Sequence, residues 1–330
     1  MQLPAALRQA IEARLAGRAL GAVRADSAAL TGRYRGGRAA RPAWQAHVRG
    51  AADAEAYIAA RLPATYAAAA SVLAEVAARL PDFAPASLLD LGAGPGTMLW
   101  AAAEAWPGLA GATLLDNNPA FREIGAALAA AGPAPAFAAA DWRPADLEGD
   151  AALPEADLAT AAYVLNELSP AAQARTVAAL WRAARGAVVL IEPGTPAGFA
   201  HLRAARRQLL DLGARLVAPC PHGADCPLTG EDWCHFSRRV ERSRLQRLAK
   251  GAAAPFEDEK FAYLAAARVP SPAVAARVLR PPRVEKGAVT LDLCRADGTA
   301  GPQAVPRRDK AAYRAAERLG WGDAVEPEGA

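Results

Sequence analysis

Sulfur and long apolar runs are scarce in this sequence of 330 residues, which has four cysteines and two methionines. No stretch of about 18 or more residues combines bulky apolar side chains with an absence of charge, as a membrane-spanning helix requires. The first residues, Met1-Gln-Leu-Pro, lack the basic and apolar parts of a secretory signal. We therefore expect a cytoplasmic protein without a membrane partner.

The composition is that of a folded protein, because 53% of the residues are hydrophobic and can bury a sizeable core. Many of them are alanines, which favour helices but fill little volume, so the helices should pack closely together. The length allows one large domain with additions or two domains. We expect the protein to be a monomer.

Charge is distributed unevenly along the chain. Residues 1–50 contain nine arginines and two acids, whereas residues 82–196 contain thirteen acids and five arginines. A second basic run, residues 238–250, follows the third cysteine. Basic surfaces of this kind bind the phosphates of a polyanion such as RNA, but charge runs are also common on ordinary solvated helix faces. The charge pattern alone leaves both interpretations open.

Four segments can be distinguished along the chain. Residues 1–80 form an N-terminal helical region, and residues 81–215 alternate short apolar runs with helical stretches, which indicates a parallel sheet with helices on both faces. Residues 216–260 form a cysteine-rich insertion with a basic helix, and residues 261–330 supply strands that complete the sheet, a hairpin and a basic tail. The predicted strands of the sheet lie near residues 88–91, 112–116, 136–140, 157–160, 187–191, 214–218 and 260–268.

A glycine-rich turn follows the first predicted strand, with Gly92, Gly94 and Gly96 placed after Asp90. Glycines allow a sharp turn and a close approach of the backbone to a nucleotide. Thr97 occupies the place where a dinucleotide fingerprint has its third glycine. A turn preceded by an acid suits a cofactor with a cationic sulfonium and an amino group, so the predicted ligand is S-adenosylmethionine (SAM).

Acidic residues mark the ends of the next two predicted strands. Asp116 is placed to bind both ribose hydroxyls, as does the acid about 20 residues past the glycine loop of dinucleotide enzymes. Asp141 and Trp142 offer an acceptor and an aromatic face where adenine would lie. Because the ends of parallel strands meet at one crevice, we expect these three residues to share the cofactor site with Asp90 and the three glycines.

The fourth predicted strand leads into a segment where methyltransferases usually hold the methyl acceptor. It contains neither an Asn-Pro-Pro-aromatic tetrad for an exocyclic amine nor a cysteine that could attack a pyrimidine ring. Asn166 and Glu167 could orient an acceptor, although methyl transfer needs alignment more than a strong base. Both residues could equally cap a helix start, and the same ambiguity applies to Glu192. Catalytic residues are therefore not assigned.

All four cysteines, Cys220, Cys226, Cys234 and Cys294, fit a single metal site. Three lie close together, and the fourth lies on the second strand of a hairpin predicted over residues 276–294. The pattern Cys-x5-Cys-x7-Cys-x59-Cys lacks the tight knuckle of structural zinc sites and the ferredoxin run. On spacing alone, zinc and an iron–sulfur centre both remain open, and His222 or His235 could replace one cysteine.

Several segments resemble the methyltransferase-like family associated with the mitochondrial small ribosomal subunit, which includes bacterial members. The resemblance covers about residues 57–295, and its specific part is the cysteine signature. It rests on residues 61–66, 88–96, 163–168, 191–199, 219–222, Cys226, residues 233–236 and residues 261–264.

The resemblance implies a class I SAM-dependent methyltransferase fold of the α/β type with a seven-stranded sheet. It also implies a [4Fe-4S] cluster bound by Cys220, Cys226, Cys234 and Cys294, and a role in assembling the small ribosomal subunit through contact with its rRNA. The family does not settle whether the protein is an enzyme. The principal expectation is a SAM-binding assembly factor, and the alternative is an active methyltransferase on RNA or protein with a structural metal site. As a member of such a family the chain is expected to be a bacterial cytoplasmic protein, whereas eukaryotic members are mitochondrial.

Overall fold

The computed structural model describes residues 1–35, 47–149 and 152–327, and it begins with a set of helices. α1 buries Leu7, Ile11 and Leu15, whose four-residue spacing places them on one face. Pro63 lies in the first turn of α4, where its missing N–H costs no hydrogen bond. The N-terminal helices are α1 (Ala5–Leu15), α2 (Leu20–Arg35), α3 (Ala51–Ala60) and α4 (Leu62–Arg79).

The central sheet has the strand order β3-β2-β1-β4-β5-β8-β6, and β7 also pairs with β8. The pairs among β1 to β5 are parallel, whereas β8 is antiparallel to β5, β6 and β7. The strands are β1 (Ser87–Leu91), β2 (Gly111–Leu115), β3 (Ala140–Arg143), β4 (Ala156–Ala162), β5 (Ala184–Pro193), β6 (Arg215–Ala218), β7 (Phe236–Glu241) and β8 (Phe256–Ala267).

Helices cover both faces of this sheet, and three of them begin with the same pair of signals. Asn118, Ser169 and Thr195 each accept a hydrogen bond from a backbone N–H of the first helical turn, and each is followed by proline. The helices between the strands are α5 (Thr97–Ala105), α6 (Pro119–Ala129), α7 (Pro135–Ala138), α8 (Pro170–Ala183) and α9 (Pro196–Asp211).

The core lies on the two faces of the sheet, because successive side chains of a strand point in opposite directions. In β5, Val189 and Ile191 join the hydrophobic cluster on the face that packs against α4, while Val188 and Leu190 join the cluster on the opposite face. All four side chains are fully buried. A strand buried on both faces reads as the continuous apolar run seen here. Within the described residues, no helix is long and apolar enough to cross a bilayer.

The prediction of a strand over residues 136–140 was wrong. Pro135 starts the short helix α7, and Phe137 is buried with its ring 4.3 Å from that of Trp100. The strand β3 begins only at Ala140. Asp141 and Trp142 consequently lie inside the strand instead of at its end.

The basic run over residues 238–250 is also not one helix. Its first part lies in β7, and its second part forms α10 (Arg244–Lys250), which is capped by the hydroxyl of Ser243. Since β7 pairs with β8 through Arg239 and Asp258, the central sheet has eight strands instead of the expected seven. Phe236 and Val240, the two apolar residues of this strand, are buried, whereas its four polar residues are partly or fully exposed.

The C-terminal strands form a second, five-stranded sheet with its own small core. β11 pairs antiparallel with β9 and β10, as in the predicted hairpin, and Cys294 lies on β11. The additional strand β12 pairs along the other side of β11. The elements are β9 (Ala276–Val278), β10 (Arg283–Val284), β11 (Ala288–Arg295), β12 (Ala300–Pro306), α11 (Lys310–Arg318) and β13 (Ala324–Val325).

Candidate cofactor cleft and cysteine cavity

The glycine turn after β1 has a backbone conformation that favours glycine at all three positions. The φ angles of Gly92, Gly94 and Gly96 are +62°, +52° and +82°, a region that costs other residues about 1–2 kcal/mol. A Cβ on Gly92 would lie 2.3 Å from a methyl carbon of Val164, and one on Gly96 would lie 2.9 Å from the ring of Trp142. The close packing therefore also excludes a side chain at two of the three glycines.

Asp116 follows β2 and holds the glycine turn in place. Its carboxylate accepts the backbone N–H of Gly94 at 2.7 Å and that of Asn118 at 2.7 Å. Burial raises the pKa of Asp116, and these two hydrogen bonds partly oppose the rise. Each carboxylate oxygen has a second lone pair, so Asp116 can still accept hydrogen bonds from a ligand beside the turn.

Asp90 lies on β1 beneath the turn and is 1% exposed. One oxygen of its carboxyl group accepts the hydroxyl of Thr160 at 2.6 Å, and the other has no hydrogen-bond partner in the described structure. Burial raises the pKa of Asp90 to about 7, although the Thr160 bond opposes this. A buried carboxyl oxygen without a partner is costly, and a cationic group bound nearby would reduce that cost.

A cleft of about 1730 Å³ opens at the carboxyl ends of the parallel strands. Gly92, Gly94 and Asp116 line one side of it, and Asn166 and Glu167 line another. The N-terminal helices contribute a further wall through Tyr34, Tyr57, Arg61 and Thr65. The cleft thus lies where open α/β sheets bind their ligands.

Asp141 and Trp142 do not line this cleft. The carboxylate of Asp141 is half exposed and bonds to the guanidinium of Arg143 at 2.7 Å. The ring of Trp142 packs against Gly96 and Gly125, where added Cβ atoms would come within 2.9 and 2.2 Å of it. The structure therefore gives Trp142 a position supporting the turn, while the adenine-binding role of the two residues stays a prediction.

Asn166 and Glu192 stabilise the loop that follows β4. Glu192 is fully buried, and its carboxylate accepts the N–H groups of Leu165 and Asn166 at 2.9 and 3.1 Å. The Asn166 amide donates to the backbone carbonyl of Tyr163 at 2.9 Å. Glu192 thus caps the short turn Leu165–Glu167, whereas Glu167 is exposed at the cleft. No contact here assigns Asn166 or Glu167 to catalysis.

One wall of the cleft contains a polar cluster that the sequence did not reveal. Tyr163 has a φ of +61°, unusual for a residue other than glycine. Its hydroxyl donates to Glu259 at 3.2 Å, and the Arg61 guanidinium lies 3.6 Å from the same carboxylate. Burial and the charge of Glu259 raise the pKa of Tyr163 well above its usual value. Tyr163 and Arg61 belong to the family-like segments, but nothing in the sequence pointed to Glu259 on β8.

The four cysteines converge on one cavity of about 40 Å³. Cys220 follows β6, Cys226 and Cys234 lie in the loop that leads to β7, and Cys294 lies on β11. Burial raises the pKa of Cys220 and Cys234, and it raises that of Cys294 to about 12. Residues that are distant in sequence thus form one buried thiol cluster.

Two aromatic residues fasten the cysteine loop to its surroundings. The indole N–H of Trp233 donates to the carbonyl of Gly194 after β5 at 3.1 Å, and the indole N–H of Trp321 donates to the carbonyl of His235 at 2.9 Å. Neither His222 nor His235 lines the cavity. The His235 ring stacks on Trp233, whereas His222 has its Nε2 atom 3.4 Å from the Cys294 sulfur. Of these two histidines, His222 is the one in contact with a thiol.

The chemistry of this cavity fits a negatively charged centre bound by several thiolates. Among the described residues, no group of three or more His, Cys, Asp and Glu side chains is arranged to hold a single metal ion. Arg206 and Arg277 also line the cavity, and each retains one buried nitrogen without a hydrogen-bond partner. Four thiols beside two incompletely bonded cations favour an anionic occupant, since buried charge needs compensation.

Ion pairs reduce the positive charge expected from the sequence. Arg242 and Lys250 bind Glu257 at 2.9 and 2.5 Å, and Arg239 binds Asp258 at 2.9 Å. In the N-terminal region, Arg14 and Arg18 bind Glu55. The exposed basic residues that remain include Arg244 and Arg247 on α10, and Lys310, Arg314 and Arg318 on α11. Their four-residue spacing places the last three on one face of α11.

The parallel strands, the antiparallel β8 and the glycine turn at the cleft define the class I SAM-dependent methyltransferase-like fold. The family model "Mitochondrial small ribosomal subunit Rsm22" matches residues 51–326. This chain therefore belongs to the Rsm22 family.

Relatives with curated names agree with this membership. The chain is 30% identical over 292 residues to the Homo sapiens protein named "Ribosome assembly protein METTL17, mitochondrial", covering 81% of this chain and 61% of that protein. It is 29% identical over 187 residues to the Schizosaccharomyces pombe "Rsm22-cox11 tandem protein 2, mitochondrial", covering 44% and 25%. The chain thus spans less than two thirds of the length of these two relatives.

Two solved methyltransferase structures align with part of this chain at low sequence identity. A putative RNA methyltransferase from Pyrococcus horikoshii is 13% identical, with a TM-score of 0.41 over 61% of this chain and 85% of that one. Magnesium protoporphyrin IX methyltransferase from Synechocystis with bound SAH is 14% identical, with a TM-score of 0.41 over 62% and 84%.

Proposed function

We propose that this protein is a SAM-binding, iron–sulfur-containing factor that binds small-subunit rRNA and supports assembly of the small ribosomal subunit. The observation that carries the proposal is the family match over residues 51–326, which includes the glycine turn, Asp116 and the four cysteines. The human relative is itself named a ribosome assembly protein. The names of these relatives also place them in mitochondria, so the expected bacterial cytoplasmic location stays a prediction.

SAM binding is supported by the glycine turn and by Asp116. The turn keeps space beside Gly94, where an added Cβ would meet no atom within 4 Å, and Asp116 offers lone pairs to a ribose. The cofactor would bring a methyl group on a cationic sulfur. Asp90 lies buried beneath the turn and, like Gly96, does not line the cleft, so its part in binding that charge stays a prediction. Isothermal titration of SAM should give binding that Asp116→Ala weakens. The exposed Asp211 on α9 provides the control variant, Asp211→Ala, which should bind normally.

The metal part of the proposal rests on the four-thiol cavity and on the resemblance to the family. The cavity alone does not distinguish zinc from an iron–sulfur cluster, so the choice of the cluster comes from the resemblance. A cluster bound by Cys220, Cys226, Cys234 and Cys294 would join the cysteine loop to β11. Protein purified without air should contain iron and sulfide in equal amounts and absorb visible light. Zinc in place of iron in such a preparation would refute the cluster.

The rRNA contact is supported by the exposed basic residues for which the described residues show no ion pair, above all those on α11. Phosphate contacts give binding that weakens steeply as salt concentration rises. A filter-binding or fluorescence assay with small-subunit rRNA should therefore show a strong salt dependence. Equal affinity for a neutral polymer, or no dependence on salt, would contradict an interface of this kind.

Methyl transfer is the second candidate function. The cleft of about 1730 Å³ supports it, because it has room for an acceptor beside the cofactor. The wall formed by Tyr163, Glu259 and Arg61 lies on the acceptor side and could orient an acceptor group there. Incubation with methyl-labelled SAM and immature small subunits separates the two functions. Transfer that Asp116→Ala abolishes would establish an enzyme, while SAM binding without transfer would favour an assembly factor.

A further inference from the structure

Two arginines are buried in the wall of the cysteine cavity. Arg206 on α9 is 6% exposed and Arg277 on β9 is 1% exposed. Arginine is almost never buried to this extent unless a negative charge or a complete set of acceptors compensates it. The surroundings of each guanidinium group therefore indicate what the cavity is built to hold.

Arg206 has acceptors on one side only. Its Nη2 atom donates to the carbonyls of His222 and Ala224 at 2.8 and 2.6 Å, which fixes the loop between Cys220 and Cys226. Its Nε atom is buried without a partner, and no carboxylate pairs with it in the described part of the chain. Arg206 and Cys220 both line the cysteine cavity.

Arg277 connects several parts of the fold beside the same cavity. Its Nε atom donates to the carbonyl of Pro219 at 3.0 Å, and its Nη1 atom donates to the carbonyl of Gly322 at 2.9 Å. Nη1 also lies 2.7 Å from the carboxylate of Glu75 on α4. The remaining nitrogen, Nη2, is buried without a partner. Among the described residues, Glu75 is the one carboxylate paired with either of the two buried guanidinium groups. Arg206 and Arg277 together therefore carry an excess of positive charge.

We propose that Arg206 and Arg277 donate their remaining N–H groups to the sulfur atoms of the centre bound by the four cysteines, and that they set its reduction potential. This inference rests on the proposed iron–sulfur centre. The two arginines act as positioning and electrostatic residues and are not ligands.

The physical basis is the charge that a thiolate-bound cluster carries. Hydrogen bonds to the sulfurs and nearby positive charge stabilise the more negative, reduced form, so both raise the reduction potential. The effect is larger in a buried site than at a surface, because little water screens the charges. Removing one guanidinium group should therefore make the centre harder to reduce.

The test is a redox titration of protein purified without air, followed by electron paramagnetic resonance of the reduced centre. Arg206→Met should shift the reduction potential to more negative values. For a one-electron reduction, each tenfold decrease in the equilibrium constant corresponds to a shift of about 59 mV. Arg206→Lys keeps the charge but loses the planar donor group, so its shift should be smaller. Arg207→Met is the matched control, because Arg207 lies one residue further along α9 and its side chain is 73% exposed.

The outcomes separate this inference from the proposed function. A wild-type protein without iron refutes the proposed centre itself. A wild-type centre whose potential Arg206→Met leaves unchanged, at full iron content, refutes the role of the arginines alone. If Arg206→Met fails to retain iron, Arg206→Lys and Arg277→Lys decide the matter, since both keep the charge and alter the N–H donors. Unchanged potentials in both lysine variants would overturn the inference.

Discussion

Replacing Gly92 by alanine should destabilise the folded protein considerably more than replacing Gly94. Both residues have positive φ angles, +62° and +52°, so alanine costs about 1–2 kcal/mol of backbone energy at either position. The Cβ at position 92 would also lie 2.3 Å from a Val164 methyl carbon, whereas the Cβ at position 94 would meet nothing within 4 Å. Overpacking of a buried position adds about 1–3 kcal/mol, which gives a total of about 2–5 kcal/mol for Gly92→Ala.

Urea unfolding followed by circular dichroism measures both variants, with the midpoint and the slope reported separately. The double variant Gly92→Ala/Val164→Ala is the control, because shortening the valine removes the clash and leaves the backbone cost. It should be less destabilised than the sum of the two single variants. Equal losses of stability in Gly92→Ala and Gly94→Ala, or strict additivity in the double variant, would refute the packing argument. Gly94→Ala should instead weaken SAM binding while it retains most of the stability.

Three further predictions concern other parts of the molecule. The folded-state pKa of Asp90, about 7, exceeds the value of about 3.9 in an unfolded chain. The folded protein therefore binds the extra proton, and stability should fall as the pH rises from about 4 to about 7. Asp90→Asn should remove this fall in urea unfolding curves, and an unchanged pH profile would contradict the assignment. Cys294→Ser should lower the iron content of anaerobically purified protein and should increase proteolysis of the C-terminal sheet; full iron content would exclude Cys294 as a ligand. Charge reversal at Lys310, Arg314 and Arg318 should weaken rRNA binding in 0.15 M salt and flatten its salt dependence, whereas an unchanged slope would show that α11 makes no phosphate contacts.

The parallel core could be predicted because its signals are local. Apolar runs mark the strands, glycines at 92, 94 and 96 mark the turn, and the acid at 116 follows the next strand. Each signal depends on a few adjacent residues, and each was placed correctly relative to the sheet. Residues 136–140 were assigned incorrectly because alanine-rich segments have no periodicity that separates a short helix from a strand.

The walls of the two sites could not be predicted, because they depend on which segments meet in the fold. Arg239 belongs to the basic run that the sequence offered as an RNA-binding surface. In the structure it forms an ion pair with Asp258, because β7 pairs with β8. The sequence does not distinguish Arg206 and Arg277 from the other arginines. Their burial beside the cysteines, which the structure shows, is what distinguishes them. Glu259 gave no signal in the sequence because its partners, Tyr163 and Arg61, come from distant parts of the chain.

The strand β8 reaches both sites. Glu257, Asp258 and Glu259 line the cleft, while Ala262, Tyr263 and Leu264 line the cysteine cavity. From Glu259 to Tyr263 the strand extends over about 13 Å, with β5 paired along this stretch from Phe261 onward. The two sites are therefore lined by residues of the same hydrogen-bonded strand. Thermodynamic linkage between two binding sites is reciprocal. If a ligand in the cleft changes the affinity of the cysteines for the proposed metal centre, that centre must change the affinity of the cleft for its ligand by the same factor.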